Sequence, residues 1–169
     1  MNFKKIICWP PLLGGVGAGV TIGILAYITF QSILAGTNYG LWLAASFGSS
    51  VVVVFGYPHN EFSQPKNVLF GHLLCALVGI IFVTLFKITQ DRTIFFLAIG
   101  LAVGLSVMLM MALKITHPPA GGNTIVVMLS QDSFQFLIFP IMIGAITIII
   151  GGIIYNRFIL KKNYPLKWF

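Results

Sequence analysis

Acidic residues are almost missing: Glu61, Asp91 and Asp132 are the whole complement of a 169-residue chain. Charge of either sign is scarce, at 8% of residues, and the two cysteines, Cys8 and Cys75, have no C-x-x-C spacing. Each shortage removes a class of function. With no paired carboxylates, no H-E-x-x-H, no nucleophile elbow and no P-loop, nothing in the chain looks like enzyme machinery. His72 and His117 lack the further strong ligands that a zinc-type site needs, so neither a metal nor a cofactor is expected. The cysteines read as separate buried or interfacial thiols. A water-soluble globule is excluded as well, because so few charged side chains cannot coat a solvated surface.

What the chain has is apolar length. Hydrophobic residues make up 58% of it and its mean hydropathy is +0.99, the signature of an integral membrane protein in contact with the lipid bilayer. The net charge of +7 does not point to nucleic acid, because the basic residues sit in short loops and tails, where they set topology. Lys4 and Lys5 stand before an apolar run like the start of a signal peptide. That run continues to about residue 30 with no A-x-A site, so an uncleaved first span is expected.

Six apolar segments follow one another, over residues 6–34, 41–55, 67–86, 94–113, 124–129 and 134–155. Four are long spans. The second and fifth are short for a hydrocarbon core of about 30 Å. The fold class is thus an all-α membrane protein of about six apolar segments, in a single domain over residues 1–169. Gly36-Thr37-Asn38 forms a turn, Gly56-Tyr57-Pro58 ends the second segment, and Asp132-Ser133 caps the sixth. Pro65 precedes the third segment, with Asn67 as its cap. Gly15, Gly19 and Gly23 make a stripe at four-residue spacing on the first segment, a face on which another helix can approach closely. A chain this small is expected to form a homo-oligomer through that face.

An internal match suggests a repeat. Residues 47–55 (FGSSVVVVF) align with 121–129 (GGNTIVVML) at an offset of 74; each has glycine, two small polar residues and a β-branched run. Residues 6–88 and 93–158 would then form a 3+3 inverted repeat, an architecture of transporters. The basic residues constrain how it crosses. With the N-terminus inside and six crossings, Lys4, Lys5, Lys66, Lys114, Arg157, Lys161, Lys162 and Lys167 lie inside, against Lys87 and Arg92 outside. If the second and fifth segments both re-entered, the same split would result, whereas one alone re-entering would invert it against the positive-inside rule. Both cross or neither does, and crossing is the reading adopted. Both termini are then cytoplasmic, in a bacterial plasma membrane.

The chemistry concentrates at the breaks. Residues 116–124 read T-H-P-P-A-G-G-N-T, and lipid tolerates such non-helical backbone only where protein buries it or where it lines a cavity. Pro118 and Pro119 fix this break as Pro65 fixes the earlier one. A helix start exposes unpaired N–H groups at the positive end of the macrodipole, and glycine lets an anion reach them. Gly48-Ser49-Ser50 and Gly121-Gly122-Asn123-Thr124 have that composition, with uncharged donors and no lysine to hold an anion too tightly. Ordinary capping and small-residue packing explain the same residues. His117, before Pro118, has extended backbone; it either guards an entrance and titrates, or caps the fourth segment at the surface. His72 lies among apolar neighbours and must face the protein interior, as a gating or coupling group or as a helix-to-helix hydrogen bond.

These residues also carry a family resemblance. His117-Pro118-Pro119-Ala120-Gly121, with Ala45-Ser46-Phe47-Gly48-Ser49, Phe55-Gly56-Tyr57-Pro58, Gln64-Pro65-Lys66-Asn67 and Gly71-His72-Leu73-Leu74, resembles HPP-family integral membrane proteins. The resemblance implies four spans, with re-entrant second and fifth segments, and it implies nitrite or a similar small anion as substrate, as associated with cyanobacterial and chloroplast members. Gly122-Asn123 departs from the alanine expected at position 122, and Asn123 adds a polar group that bears on selectivity. The expected function is a channel or transporter for nitrite. Gly48, Ser49, Ser50, Gly121, Gly122, Asn123 and Thr124 would bind the anion, and His72 or His117 would gate it. The alternative is a non-transporting membrane scaffold, in which Ser49, Asn123 and Thr124 pack with no cavity.

Overall fold

A computed structural model describes residues 9–34, 44–86, 92–130 and 133–168. Lys4, Lys5, Cys8, the Gly36-Thr37-Asn38 turn, the start of the second apolar segment, Lys87, Asp91 and Asp132 lie outside the described residues. Among those described, every regular element is helical: α1 Trp9–Leu34, α2 Ala44–Gly56, α3 Pro65–Phe86, α4 Arg92–Ala112, α5 Gly121–Ser130 and α6 Ile143–Ile153. A kinked stretch, Leu137–Met142, leads into α6, and a π-helical stretch, Ile154–Ile159, follows it. The first contains a kink at Phe139, extended at φ −125° and ψ 120°, because Pro140 disfavours helical geometry in the residue before it.

Four runs are long and apolar enough to cross a membrane: Pro11–Gln31, Pro65–Phe86, Ile94–Ala112 and Leu137–Ile159. α2 has 13 residues and α5 has 10. At ~1.5 Å per residue they rise about 20 Å and 15 Å, well short of a ~30 Å core. Side-chain contacts fix the directions. α2 is antiparallel to α3, to which it connects through a turn and the 3₁₀ helix Glu61–Ser63. α4 returns beside α3, with Met110 against Cys75 near its end and Ala98 and Ala102 packed in one cluster with Val83. α5 runs parallel to α3, with Thr124 at Cys75 and Val127 at Gly79. α6 runs parallel to α2, with Gly144 on Phe47 and Gly152 on Val54. Gly14 and Gly17 near the start of α1 meet Tyr155 near the end of α6.

Direction therefore alternates through all six helices, while only four of them are long. The six-segment reading and the four-span expectation each describe part of this arrangement. The start of α1, the 57–64 loop, the 113–120 break and the tail after residue 159 gather at one end.

Close approach comes from glycines other than those expected. At Gly15, Gly19 and Gly23 a Cβ would meet open space, so the stripe on α1 faces outward. Gly14 and Gly17 are the ones that let Tyr155 and Phe55 in. On α3, Gly71, Cys75 and Gly79 form a second stripe at four-residue spacing, and this one is used. A Cβ on Gly71 would lie 2.9 Å from His117 Cβ, and one on Gly79 would lie 3.0 Å from the Thr124 carbonyl oxygen. The stripe lets α5 and the break before it lie against α3. Phe47, Val54, Val68, Ala76, Ile80, Val127, Ile141 and Ile148 fill the core between α2, α3, α5 and α6.

The tail closes on the 57–64 loop. Gln64 Nε2 donates to the carbonyls of Pro58 and Asn60, both at 2.9 Å, while its Oε1 accepts from the amides of Leu166 (2.8 Å) and Lys167 (3.3 Å). Tyr164 Oη donates to the Ser63 carbonyl at 2.7 Å, and burial pushes its phenol pKa well up. Tyr164→Phe orphans that buried carbonyl and is expected to cost about 1–2 kcal/mol. The measurement is the thermal midpoint of purified protein in detergent. An unchanged midpoint would show that the tail does not hold the loop.

Candidate functional site

Buried polar side chains bond to one another in the interior, towards the loop-bearing end. Ser50, His72, His117, Asn123 and Thr124 are all 0% exposed, so no water-sized space lies against them. They come from four places: α2, α3, the break and the start of α5. Ser50 Oγ lies 2.8 Å from His72 Nε2 and 2.9 Å from His117 Nε2. Asn123 Nδ2 lies 2.8 Å from His72 Nδ1 and 3.3 Å from the His72 carbonyl oxygen. Ser46 Oγ donates to Asn123 Oδ1 at 2.5 Å. His117 Nδ1 lies 2.7 Å from the Phe62 carbonyl oxygen. The two imidazoles are 5.0 Å apart, and Phe47 packs 4.8 Å from His72.

The partners assign the protons. A carbonyl oxygen only accepts, so His117 carries its proton on Nδ1 and presents a bare Nε2 to Ser50. The Asn123 amide donates to His72 Nδ1, so His72 carries its proton on Nε2. Ser50 then accepts from His72 and donates to His117, and the Ser46 carbonyl, 2.9 Å from Ser50 Oγ, competes for that one proton. A directed chain results, from the Ser46 hydroxyl through Asn123, His72, Ser50 and His117 to the Phe62 carbonyl. Every donor in it is neutral. A second branch runs alongside: Thr124 Oγ1 donates to the Cys75 carbonyl at 2.9 Å and lies 2.8 Å from Ser106 Oγ.

Several expectations meet here and several do not. Ser50, His72, His117, Asn123 and Thr124 converge, although the sequence scatters them over more than seventy positions. Gly122 lies beside them, with the place of its missing Cβ 3.6 Å from Ser46 Cβ. Ser49 does not join them: it is exposed, because adjacent residues on a helix point about 100° apart. Gly48-Ser49-Ser50 also does not open a helix. α2 already begins at Ala44, so these amides lie beyond the unpaired first turn and are not free anion donors. The Gly121 N–H is taken as well, by the Pro118 and Pro119 carbonyls. Side-chain donors, rather than backbone amides, carry the polarity.

Pro65 is buried at the start of α3 as expected, but Asn67 is no cap; its Nδ2 reaches the Thr116 carbonyl at 2.9 Å and pins the break. Pro118 and Pro119 form a 3₁₀ turn, Pro118–Ala120, with His117 extended before it at φ −134° and ψ 97°. His117 is neither a surface group nor a cap of α4. Sequence reasoning gave Ser46 no site role, naming it only within the Ala45-Ser46-Phe47-Gly48-Ser49 run, and missed Ser106. Ser46 lies four residues before Ser50, on the same helix face, and Ser106 is the lone polar residue between Ile94 and Ala112; either pattern marks them. Among the described residues, no three His, Cys, Asp or Glu side chains gather as metal ligands.

A family model for the HPP transmembrane region matches residues 6–165. The chain belongs to the HPP transmembrane family. Two relatives of this HPP chain are transmembrane proteins of Dictyostelium discoideum. One is 35% identical over 130 residues, which cover 75% of this chain and 45% of the relative. The other is 30% identical over 151 residues, covering 87% of this chain and 48% of the relative. The HPP chain thus spans about half the length of the curated relatives it matches. No solved structure matches it.

Proposed function

We propose that this HPP chain is a channel or transporter for a small inorganic anion, nitrite foremost, and that the anion passes through the Ser46–Ser50–His72–His117–Asn123 cluster. The observation that carries this reading is the cluster itself. Polar side chains this deep among membrane helices are expensive to keep and mark pathways by default. Their donors suit a weakly held anion: the Asn123 amide, the His72 Nε2–H and the Ser46 and Ser50 hydroxyls offer protons without fixed charge. A nitrite oxygen would replace one link of the chain at a time, as Asn123 or Ser50 exchanges its present partner for the anion. His72 and His117, joined by one hydroxyl, would gate that exchange. Among the described residues, no buried lysine or arginine opposes release.

Orientation follows from charge. Lys66, Lys114 and Lys167 line one cleft at the loop-bearing end, and Lys161 and Lys162 follow α6 at the same end, which the positive-inside rule places in the cytoplasm of a bacterial plasma membrane. The outward Gly15, Gly19 and Gly23 face of α1 is the contact proposed for a homo-oligomer. One observation favours a second reading, a non-transporting scaffold: Asn123 and Thr124 are packed with all their space filled.

Nitrite uptake into liposomes holding the purified chain separates the two. Wild type is expected to exceed empty liposomes, Asn123→Leu to fall to the empty-liposome rate, and Ser49→Leu, at an exposed position, to stay near wild type. If wild type takes up no more nitrite than empty liposomes do, the nitrite assignment falls.

A further inference from the structure

The loop-bearing end carries a cleft of about 450 Å³, within the range of small-ligand sites. Lys66, Lys114, Lys167 and His59 line it, and Glu61 is the single acidic residue among its walls. Two of the lysines stand where the fold disfavours them. Lys66 occupies the first turn of α3, which has no acidic residue, so it adds charge to the positive end of the helix dipole. Lys114 closes α4 with a left-handed residue at φ 55°. Its N–H bonds to the Met111 carbonyl at 3.2 Å and that of Ile115 to the Met110 carbonyl at 3.0 Å. This is the closing pattern in which glycine is usual. The chain keeps a lysine there, and that lysine lines the cleft.

The buried side chains of Gln64 and Asn67 complete the walls and tie the cleft to the tail and the break through the hydrogen bonds described above. Lys167 lies between Leu166 and Trp168, both about half exposed, and Leu113, 55% exposed, precedes Lys114. Ammonium groups with apolar neighbours and a tryptophan at the end of a membrane bundle match the zone where head groups lie. A phosphate group suits the lysines, since its several charged oxygens can bridge more than one ammonium.

We propose that this cleft binds a phosphate group, carried by the head group of an anionic lipid or free in solution. The proposal does not rest on the nitrite reading. It is tested on the full chain in detergent, by the thermal midpoint with phosphatidylglycerol, phosphatidylcholine, inorganic phosphate, or chloride at matched ionic strength. Phosphatidylglycerol is expected to raise the midpoint, and phosphatidylcholine and chloride to leave it unchanged. A rise with phosphatidylglycerol alone identifies a lipid site, and a rise with inorganic phosphate alone identifies a soluble ligand.

Lys114→Gly relaxes the left-handed residue, so its ligand-free midpoint should be no lower than wild type, while its affinity drops about fivefold, as should that of Lys66→Ala. Folding and binding thus move separately. The proposal is overturned if neither phosphate source shifts the midpoint or if chloride shifts it as much. It also fails if the Lys66→Ala, Lys114→Gly double variant binds as tightly as wild type. None of these outcomes reads transport, so the nitrite proposal stands or falls by its own assay.

Discussion

Ser50→Ala lowers the unfolding midpoint far more than Ser49→Ala, although the two hydroxyls are neighbours in sequence. Removing the Ser50 hydroxyl leaves the His72 Nε2–H with no acceptor and the His117 Nε2 with no donor, both in a region closed to water. Each buried polar group left without a partner costs about 1–3 kcal/mol, so the expected loss for the two is roughly 2–6 kcal/mol. Ser49 is exposed, and substitutions at such sites usually stay within about 0.5 kcal/mol. Ring nitrogen chemical shifts give a second readout. In the wild type His72 should hold its proton on Nε2 and His117 on Nδ1, and Ser50→Ala should disturb both rings while Ser49→Ala disturbs neither. Equal effects from the two alanines would mean that the hydroxyl link is not formed.

Alanine substitutions at two helix glycines are expected to act with opposite sign. At Gly71 the new methyl would press on His117 Cβ at 2.9 Å and on the Ile115 carbonyl oxygen at 3.2 Å. Neither is the free end of a flexible side chain, so the whole break must move. Such overpacking costs about 1–3 kcal/mol, and it draws His117 away from Ser50. At Gly100, in the interior of α4, the added methyl meets nothing within 4 Å. Alanine there should leave stability unchanged or raise it by up to about 1 kcal/mol, the helix-propensity difference. Thermal midpoints of the two variants check this directly. If Gly71→Ala were as stable as Gly100→Ala, the contact between α3 and the break would be looser than described.

Much of the fold was legible because apolar length is a coarse property. Four long runs and two short ones stand out in any hydropathy reading, and the helix ends fell within a few residues of the expected places. The site was legible in part for a different reason. His72 could be placed in the interior because lipid penalises a polar ring, and Asn123 and Thr124 drew attention as polar residues beside glycines. What could not be read was which polar residue faces which. The partnership of Ser50 with both histidines depends on the rotation of α2, and a single residue of phase separates buried Ser50 from exposed Ser49. The glycine stripe on α1 is open for the same reason: spacing shows that Gly15, Gly19 and Gly23 share a face, but not whether that face turns inward or, as here, outward. The stripe on α3 is broken in composition by Cys75, and its role appears only once α5 lies across it.

The bonds between Gln64 and the tail also have a meaning in time. Leu166 and Lys167 follow Gln64 in the chain by 102 and 103 positions. At about 5–20 residues per second a ribosome needs roughly 5–20 s to make that stretch. For that interval the 57–64 loop exists without the amides that later occupy Gln64 Oε1 and without the phenol that later caps Ser63. The helices on either side can enter the bilayer well before their connection is complete, and the end of the molecule that gathers the loops is therefore the last to take its shape.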